Sequence, residues 1–394
     1  MIVGNQSIFI KNAKVYLEDK VIPNGGIYIE NQRIQSIHEG NALPHDLDKQ
    51  THIIDASDLH AIPGFIDGHI HGANGADTMD ATEEALDKIA SLLPMEGTTS
   101  FLATTITQSP DNISQALENT ARYPNKPGQA EMIGVHLEGP FVEKTKAGAQ
   151  PKKYIVKPDL EQFKKWQEQS GGNIMTITIA PEHDEDGQFI KHLAQSGVNI
   201  SAGHTNAGFA GIEKAVTQGV SQLTHLCNAM NGIHHRDIGA VGAAFQLEGL
   251  RAELIADGIH VLPEMLQLIY NNMGSKRIIL ITDAMRAKGL PDGDYELGGQ
   301  PVKVENGTAV LADGTLAGSI LKMNEGAQQM LKLAGVSIHN IIEMASINPA
   351  KQIGIYDRKG SISLGKDADI LLVDDNLNIK YTICRGSLAY EHQD

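Results

Sequence analysis

The sequence predicts an α/β fold, a (β/α)8 TIM-type barrel with a second, small β-sandwich domain built from both chain ends. Three observations carry this expectation. From Ile62 onward, short apolar runs rich in Ile, Val and Thr alternate with longer amphipathic stretches, the pattern of strand and helix in turn. Eight such runs can be counted, the number a closed parallel barrel requires. The two ends of the chain show short strand patterns and no long helical period. A doubly wound open sheet is the competing layout.

The runs fall at about 61–69, 99–105, 132–138, 174–180, 198–203, 221–225, 252–257 and 277–282. Helix signals lie between them. The stretch 111–121 opens on Pro110 and Asp111, and 159–169 follows Pro158 and stops before Ser170, Gly171 and Gly172. Residues 1–60 carry strand patterns such as 7–10 and 26–30, and the same texture returns over 359–390. Either end alone has too few strands to be stable, so 1–60 and 359–394 are expected to form one discontinuous domain beside a barrel spanning 61–358. Turn residues Gly298, Gly299, Asn306 and Gly307 mark 292–313 as a hairpin inserted after the eighth barrel strand.

With 394 residues, 41% of them hydrophobic, the chain can bury one large core and a smaller one. A formal net charge of -16 argues against nucleic-acid and anionic-membrane partners, which need clustered positive charge. A phosphorylated ligand would therefore need a local basic pocket. Two cysteines, Cys227 and Cys384, do not make a disulfide framework, and the first residues show no apolar stretch of secretory or membrane-spanning length. The cytoplasm is the expected location.

The chemistry lies at the strand ends. The first run closes on PGFIDGHIHG, which sets His69 and His71 two apart on a strand, with both imidazoles on one face. Such a pair alone is more often solvated or hydrogen-bonded than ligating. The third run delivers Glu138 in GVHLEGP, the fifth His204 in SAGHT, the sixth His225, and the eighth Asp283. Four histidines and two carboxylates thus gather at the C-terminal ends of barrel strands, where such barrels hold their active sites. Each alone reads as a strand cap; together they read as a site for a divalent metal. Imidazole and carboxylate donors suit zinc or iron first, with manganese or cobalt also compatible, and the lack of thiolates disfavours a closed structural zinc.

The H-x-H after strand one, the histidines after strands five and six and the aspartate after strand eight resemble the amidohydrolase superfamily. More narrowly, GVHLEGPF, AGHT, THLCNAM, ADGIH, TDAM and LAGS, in that order, resemble the N-acetylglucosamine-6-phosphate deacetylases. This resemblance implies that Glu138, His204 and His225 hold one metal and that Glu138 bridges to a second held by His69 and His71, one or two ions per subunit, with Asp283 between them and the substrate. Many amidohydrolases bridge their metals with a modified lysine after strand four. Here that run ends in Ala180, Pro181 and Glu182, which supports Glu138 as the bridge.

The activity implied is hydrolysis of the N-acetyl amide of N-acetyl-D-glucosamine 6-phosphate by metal-activated water, with Asp283 as general base and then acid. His204, His260 or neither would assist at the oxyanion. Arg236, in GIHHRDIGA, can offer two parallel N–H groups to a phosphate. The resemblance assigns His260 and the backbone of Asn228 and Ala229 to the substrate's phosphate and sugar. Ala149, in the Gly-rich KAGAQP, is expected to approach the sugar by its backbone, and Leu316, Ala317 and Gly318 to wall the acetyl group, although 316–319 reads equally well as the entrance to a helix that continues from Ile320. A homodimer is implied as well. The competing functions are an amidohydrolase acting on a different N-acyl or cyclic amide, a dead barrel scaffold, whose ligands would have eroded, and a glycosidase, which has no use for four convergent histidines.

Overall fold

In the computed structural model, which describes residues 7–40 and 49–393, eight parallel strands form a nearly closed barrel. In chain order they are Phe65–Ile70, Thr98–Thr105, Glu131–Glu138, Ile174–Ile179, Asn199–Ala202, Gln222–Leu223, Arg251–Ile255 and Ile278–Ile281. Each pairs in parallel with its neighbour. Closure happens just past the last strand. The Asp283 N–H donates to the His69 carbonyl at 2.8 Å and the His71 N–H to the Ala284 carbonyl at 2.9 Å, so the seam passes through residues singled out for chemistry.

The strand residues are largely Val, Ile, Leu, Ala and Thr and are buried, as expected where helices cover one face and side chains fill the other. Outside the barrel, Pro110–Arg122 starts with its proline in the first turn and the Ser109 hydroxyl accepting from Asn112 N–H. Leu160–Gln169 is capped by Asp159 in the same way. Phe163 and Trp166 from that helix pack with Phe141 and Phe189 in the main core. No helix among the described residues is long and apolar enough to cross a membrane.

Strands from both ends of the chain join in a second sheet of eight strands. Ile8–Tyr16 pairs with Val21–Glu30, and His60–Pro63 pairs with Ile370–Val373 from the far end. Ile8, Ile10, Ile27, Ile29, Leu372 and Ile383 fill its own core. An ion cluster fastens this sheet to the barrel: Lys359 Nζ lies 2.7 Å from Glu131, at the start of the third barrel strand, and also pairs with Asp369. Burial would raise the Glu131 carboxyl, but Lys359 and Arg358 hold it down at about 2. Of the expected end domain, residues 1–6, 41–48 and 394 lie outside the described residues.

Three expectations need correction. The run 61–69 is two strands, not one: His60–Pro63 belongs to the second sheet, and after Gly64 the chain enters the barrel at Phe65. A Cβ at residue 64 would lie 2.1 Å from the Thr99 hydroxyl, so the crossing point has no space for a side chain. The insertion after strand eight is three-stranded, Gly293–Leu297, Gln300–Glu305 and Thr308–Val310. The helix expected from Ile320 begins at Met323.

Candidate metal and substrate site

The four histidines and two carboxylates meet at the C-terminal mouth of the barrel. Glu138 sits at their centre. Its Oε1 lies 3.1 Å from His204 Nε2 and 3.2 Å from His225 Nε2, and its Oε2 lies 3.3 Å from His71 Nε2. His69 Nε2 is 3.6 Å from Glu138 Oε1 and 3.4 Å from Asp283 Oδ1, which is also 3.3 Å from His71 Nε2. Two overlapping donor groups result, His69–His71–Glu138 and Glu138–His204–His225, both buried and sharing Glu138.

Backbone shape aims three of these side chains. His204, His225 and Asp283 have φ of 45°, 31° and 48°, a left-handed conformation that costs a non-glycine residue roughly 1–3 kcal/mol. Each turn is held by its own bond: Glu143 N–H to the His204 carbonyl at 2.8 Å, Asn228 N–H to His225 at 2.9 Å, and Ser319 N–H to Asp283 at 2.7 Å. The strand ends therefore reverse at the residues whose side chains must point inward. Glu182, just past the fourth strand, accepts from the Thr205 hydroxyl at 2.5 Å and from Asn206 N–H at 2.6 Å, bracing the turn after His204.

Electrostatics point the same way. Burial disfavours charge on His69, yet Asp283, Glu253 and Glu138 outweigh it and hold that imidazole well above its usual range. Burial also opposes charge on His71, but bonds to Asp283 and Glu138 lift it to about 10. Burial would raise the Glu138 carboxyl, but His69 and the bonds from His204 and His225 hold it well below the carboxylate range. Asp283 is pushed up by burial and pulled lower by His69 and His71, with the lowering prevailing. Three carboxylates in one buried cluster demand positive charge, from protons on imidazoles or from a cation. The His69 Nε2 atom, buried and without a hydrogen-bond partner, is the kind of donor that a cation would occupy.

A cavity of about 230 Å³ opens onto this cluster. His71, Glu138, His204, His225 and Asp283 form its floor, and Ala149, Asn228, Ala229, His260, Leu316 and Gly318 stand among its walls. His260 gives Nδ1 to Asp257 Oδ2 at 2.6 Å, leaving Nε2 for the cavity. His204 has both nitrogens engaged, by the Lys146 carbonyl and by Glu138.

Two expected residues do not reach the wall. Ala317 is fully buried among Ile106, Met285 and Ala309. Arg236 is exposed on its loop, with Nη1 2.7 Å from His235 Nε2.

Two residues escaped the sequence reading. Gln150 donates to Glu138 Oε2 at 2.6 Å while its own Oε1 accepts from Thr107 N–H at 2.8 Å, which fixes the orientation of the amide. The signal was its place in KAGAQP, beside Ala149. Glu253, buried in the seventh strand, accepts from His69 Nδ1 at 2.9 Å. A carboxylate inside the apolar run 252–257 was the signal there.

The amidohydrolase family model matches residues 60–389. An N-acetylglucosamine-6-phosphate deacetylase of Bacillus subtilis (strain 168) is 48% identical over 390 residues, 98% of each chain. The crystal structure of N-acetylglucosamine-6-phosphate deacetylase from Thermotoga maritima superposes with a TM-score of 0.86 at 32% identity, covering 98% of this chain and 100% of that one. A single-residue mutant of the Mycobacterium smegmatis deacetylase, in complex with N-acetyl-D-glucosamine-6-phosphate, superposes with a TM-score of 0.88 at 26% identity over 98% of this chain and 99% of that one.

Proposed function

The chain belongs to the amidohydrolase family, and on that footing we propose that it hydrolyses the N-acetyl amide of N-acetyl-D-glucosamine 6-phosphate to D-glucosamine 6-phosphate and acetate. The observation that carries the reading is the pair of buried donor groups meeting on Glu138 beneath a cavity edged by Asp283 and His260.

Glu138, His204 and His225 would hold one divalent ion and His69, His71 and Glu138 a second, with zinc or iron best suited to these donors and manganese or cobalt also compatible. A bound divalent ion supplies a Lewis acid, lowering the pKa of water from ~15.7 to about 7 and polarising a carbonyl. Asp283, held in its charged form, accepts the proton of the attacking water and returns it to the departing amine, which leaves badly unless protonated. His260, fixed by Asp257, faces the cavity as a donor for the oxyanion or the phosphate. The backbones of Ala149, Asn228 and Ala229, with Leu316 and Gly318 at the cavity wall, position the sugar and its acetyl group.

Arg236 is assigned to the phosphate for its two parallel donors, and its place outside the cavity wall makes the arrangement of the 232–238 loop part of that assignment. Arg236→Ala is expected to raise KM for the phosphorylated sugar roughly 10- to 100-fold with kcat little changed, the signature of lost ground-state binding. An unchanged KM in steady-state assays would remove Arg236 from the site. We further read the protein as a cytoplasmic homodimer.

Acetate release by metal-analysed protein tests the whole reading, comparing N-acetylglucosamine 6-phosphate with the same sugar lacking phosphate, before and after chelation. Fast, chelator-sensitive release that needs the phosphate is expected. Activity confined to unphosphorylated amides would favour another amidohydrolase substrate, and no release from either by metal-loaded protein would sink the deacetylase reading.

A further inference from the structure

Glu253 points into the barrel from the seventh strand and is 1% exposed, yet the chemistry proposed for the site does not use it. Its Oε1 accepts from Gln222 Nε2 at 2.6 Å. Its Oε2 accepts from two sources, His69 Nδ1 at 2.9 Å and the backbone N–H of His225 at 3.2 Å. These bonds satisfy the carboxylate, but they do not explain why one is there. An apolar side chain would fill this position without the cost of burying a charged group.

A carboxylate can only accept hydrogen bonds, so it makes His69 Nδ1 the protonated nitrogen of the ring. The ligating atom is then Nε2, the buried atom without a hydrogen-bond partner that lies 3.4 Å from Asp283 and 3.6 Å from Glu138. The other candidate rings are held differently. His204 gives Nδ1 to a backbone carbonyl, that of Lys146, and the Nδ1 atoms of His71 and His225 are buried without a partner. Among the four, His69 alone has its Nδ1 hydrogen-bonded to a carboxylate. The same oxygen also grips the main chain of His225, so Glu253 touches one member of each donor group.

We propose that Glu253 is the positioning residue that makes His69–His71–Glu138 a tight ion site, fixing the His69 ring and strengthening its Nε2 as a donor. The proposal rests on the metal-binding reading of that group. A carboxylate behind a ligating imidazole raises its basicity and fixes its tautomer, and losing one typically costs 10- to 100-fold in metal affinity.

The test is competitive chelator titration with zinc on the full chain, for the unaltered protein and for E253Q, H69A and the double variant, with circular dichroism as the fold control. E253Q is near-isosteric, and Gln222, whose Oε1 accepts from Asn199 Nδ2 at 3.0 Å, keeps its Nε2 donating to the oxygen of the new amide and so leaves the NH2 group facing His69 Nδ1. Uptake of two ions by the unaltered protein is expected, with E253Q weakening one by roughly 10- to 100-fold and leaving the other within about threefold. In the H69A background, E253Q should add little, because a residue acting through His69 has nothing left to act on. The proposal is overturned if E253Q binds both ions normally, weakens both equally, or adds its full effect to H69A. A single ion indifferent to H69A would also overturn it, while leaving the metal reading standing. No ion at all would instead sink that reading along with it. If E253Q does not fold while Q222L does, Glu253 belongs to the core rather than to the site.

Discussion

Asp283→Asn is expected to lower kcat for acetate release by roughly 10³- to 10⁴-fold while ion content and KM stay near their original values. The substitution keeps the size of the side chain, the backbone bond to the His69 carbonyl and the bond from Ser319 N–H to its own carbonyl. What it removes is a carboxylate held in its charged form beside His69 and His71. An amide can neither take the proton of the attacking water nor hand one to the amine, so both halves of the reaction lose their proton carrier. Glu138 and the four imidazoles remain as donors, which is why ion content should survive. Parallel measurement of acetate release and of metal by mass spectrometry checks this. Near-normal turnover in the variant would move the proton role elsewhere, with His260 as the next group at the cavity wall.

The parts of the site legible in the sequence share one property: each is a polar residue ending an apolar run. His69, Glu138, His204, His225 and Asp283 all follow this rule, and the barrel converts their wide sequence separation into contact. What was illegible depends on what lies across the barrel or between sheets. The Glu253 bond to His69 spans 184 residues, and although a carboxylate in RAELI stands out within an apolar run, nothing local names its partner. The apolar stretch 61–69 gives no sign that the chain changes sheets at Gly64, because a buried strand looks alike in either sheet. Likewise, left-handed backbone at His204 and His225 has no glycine to advertise it. The chemistry of Arg236 is readable in its side chain, but the direction of its loop is not.

Glu138→Gln is expected to cost more than any other single change at the site, because Glu138 is the residue that both donor groups share. Its two oxygens divide the work: Oε1 faces His204 and His225, and Oε2 faces His71. Gln150, itself fixed by Thr107 N–H, keeps that division from rotating. Replacing one oxygen by an NH2 group turns an acceptor into a donor facing imidazole, and removes one of the negative charges that make the cluster attractive to a cation. Ion affinity should fall by more than the ~100-fold typical of losing an outer hydrogen-bond partner, and acetate release should fall to background with it. Thermal unfolding supplies a readout free of turnover. Adding zinc should raise Tm in the unaltered protein, since a ligand that binds only the folded state stabilises it by about 2.7 kcal/mol at 100 times its Kd. The glutamine variant should show almost none of that rise. If it instead keeps two ions and the full Tm shift, Glu138 is not the bridge, and the two histidine pairs must each hold an ion by other donors.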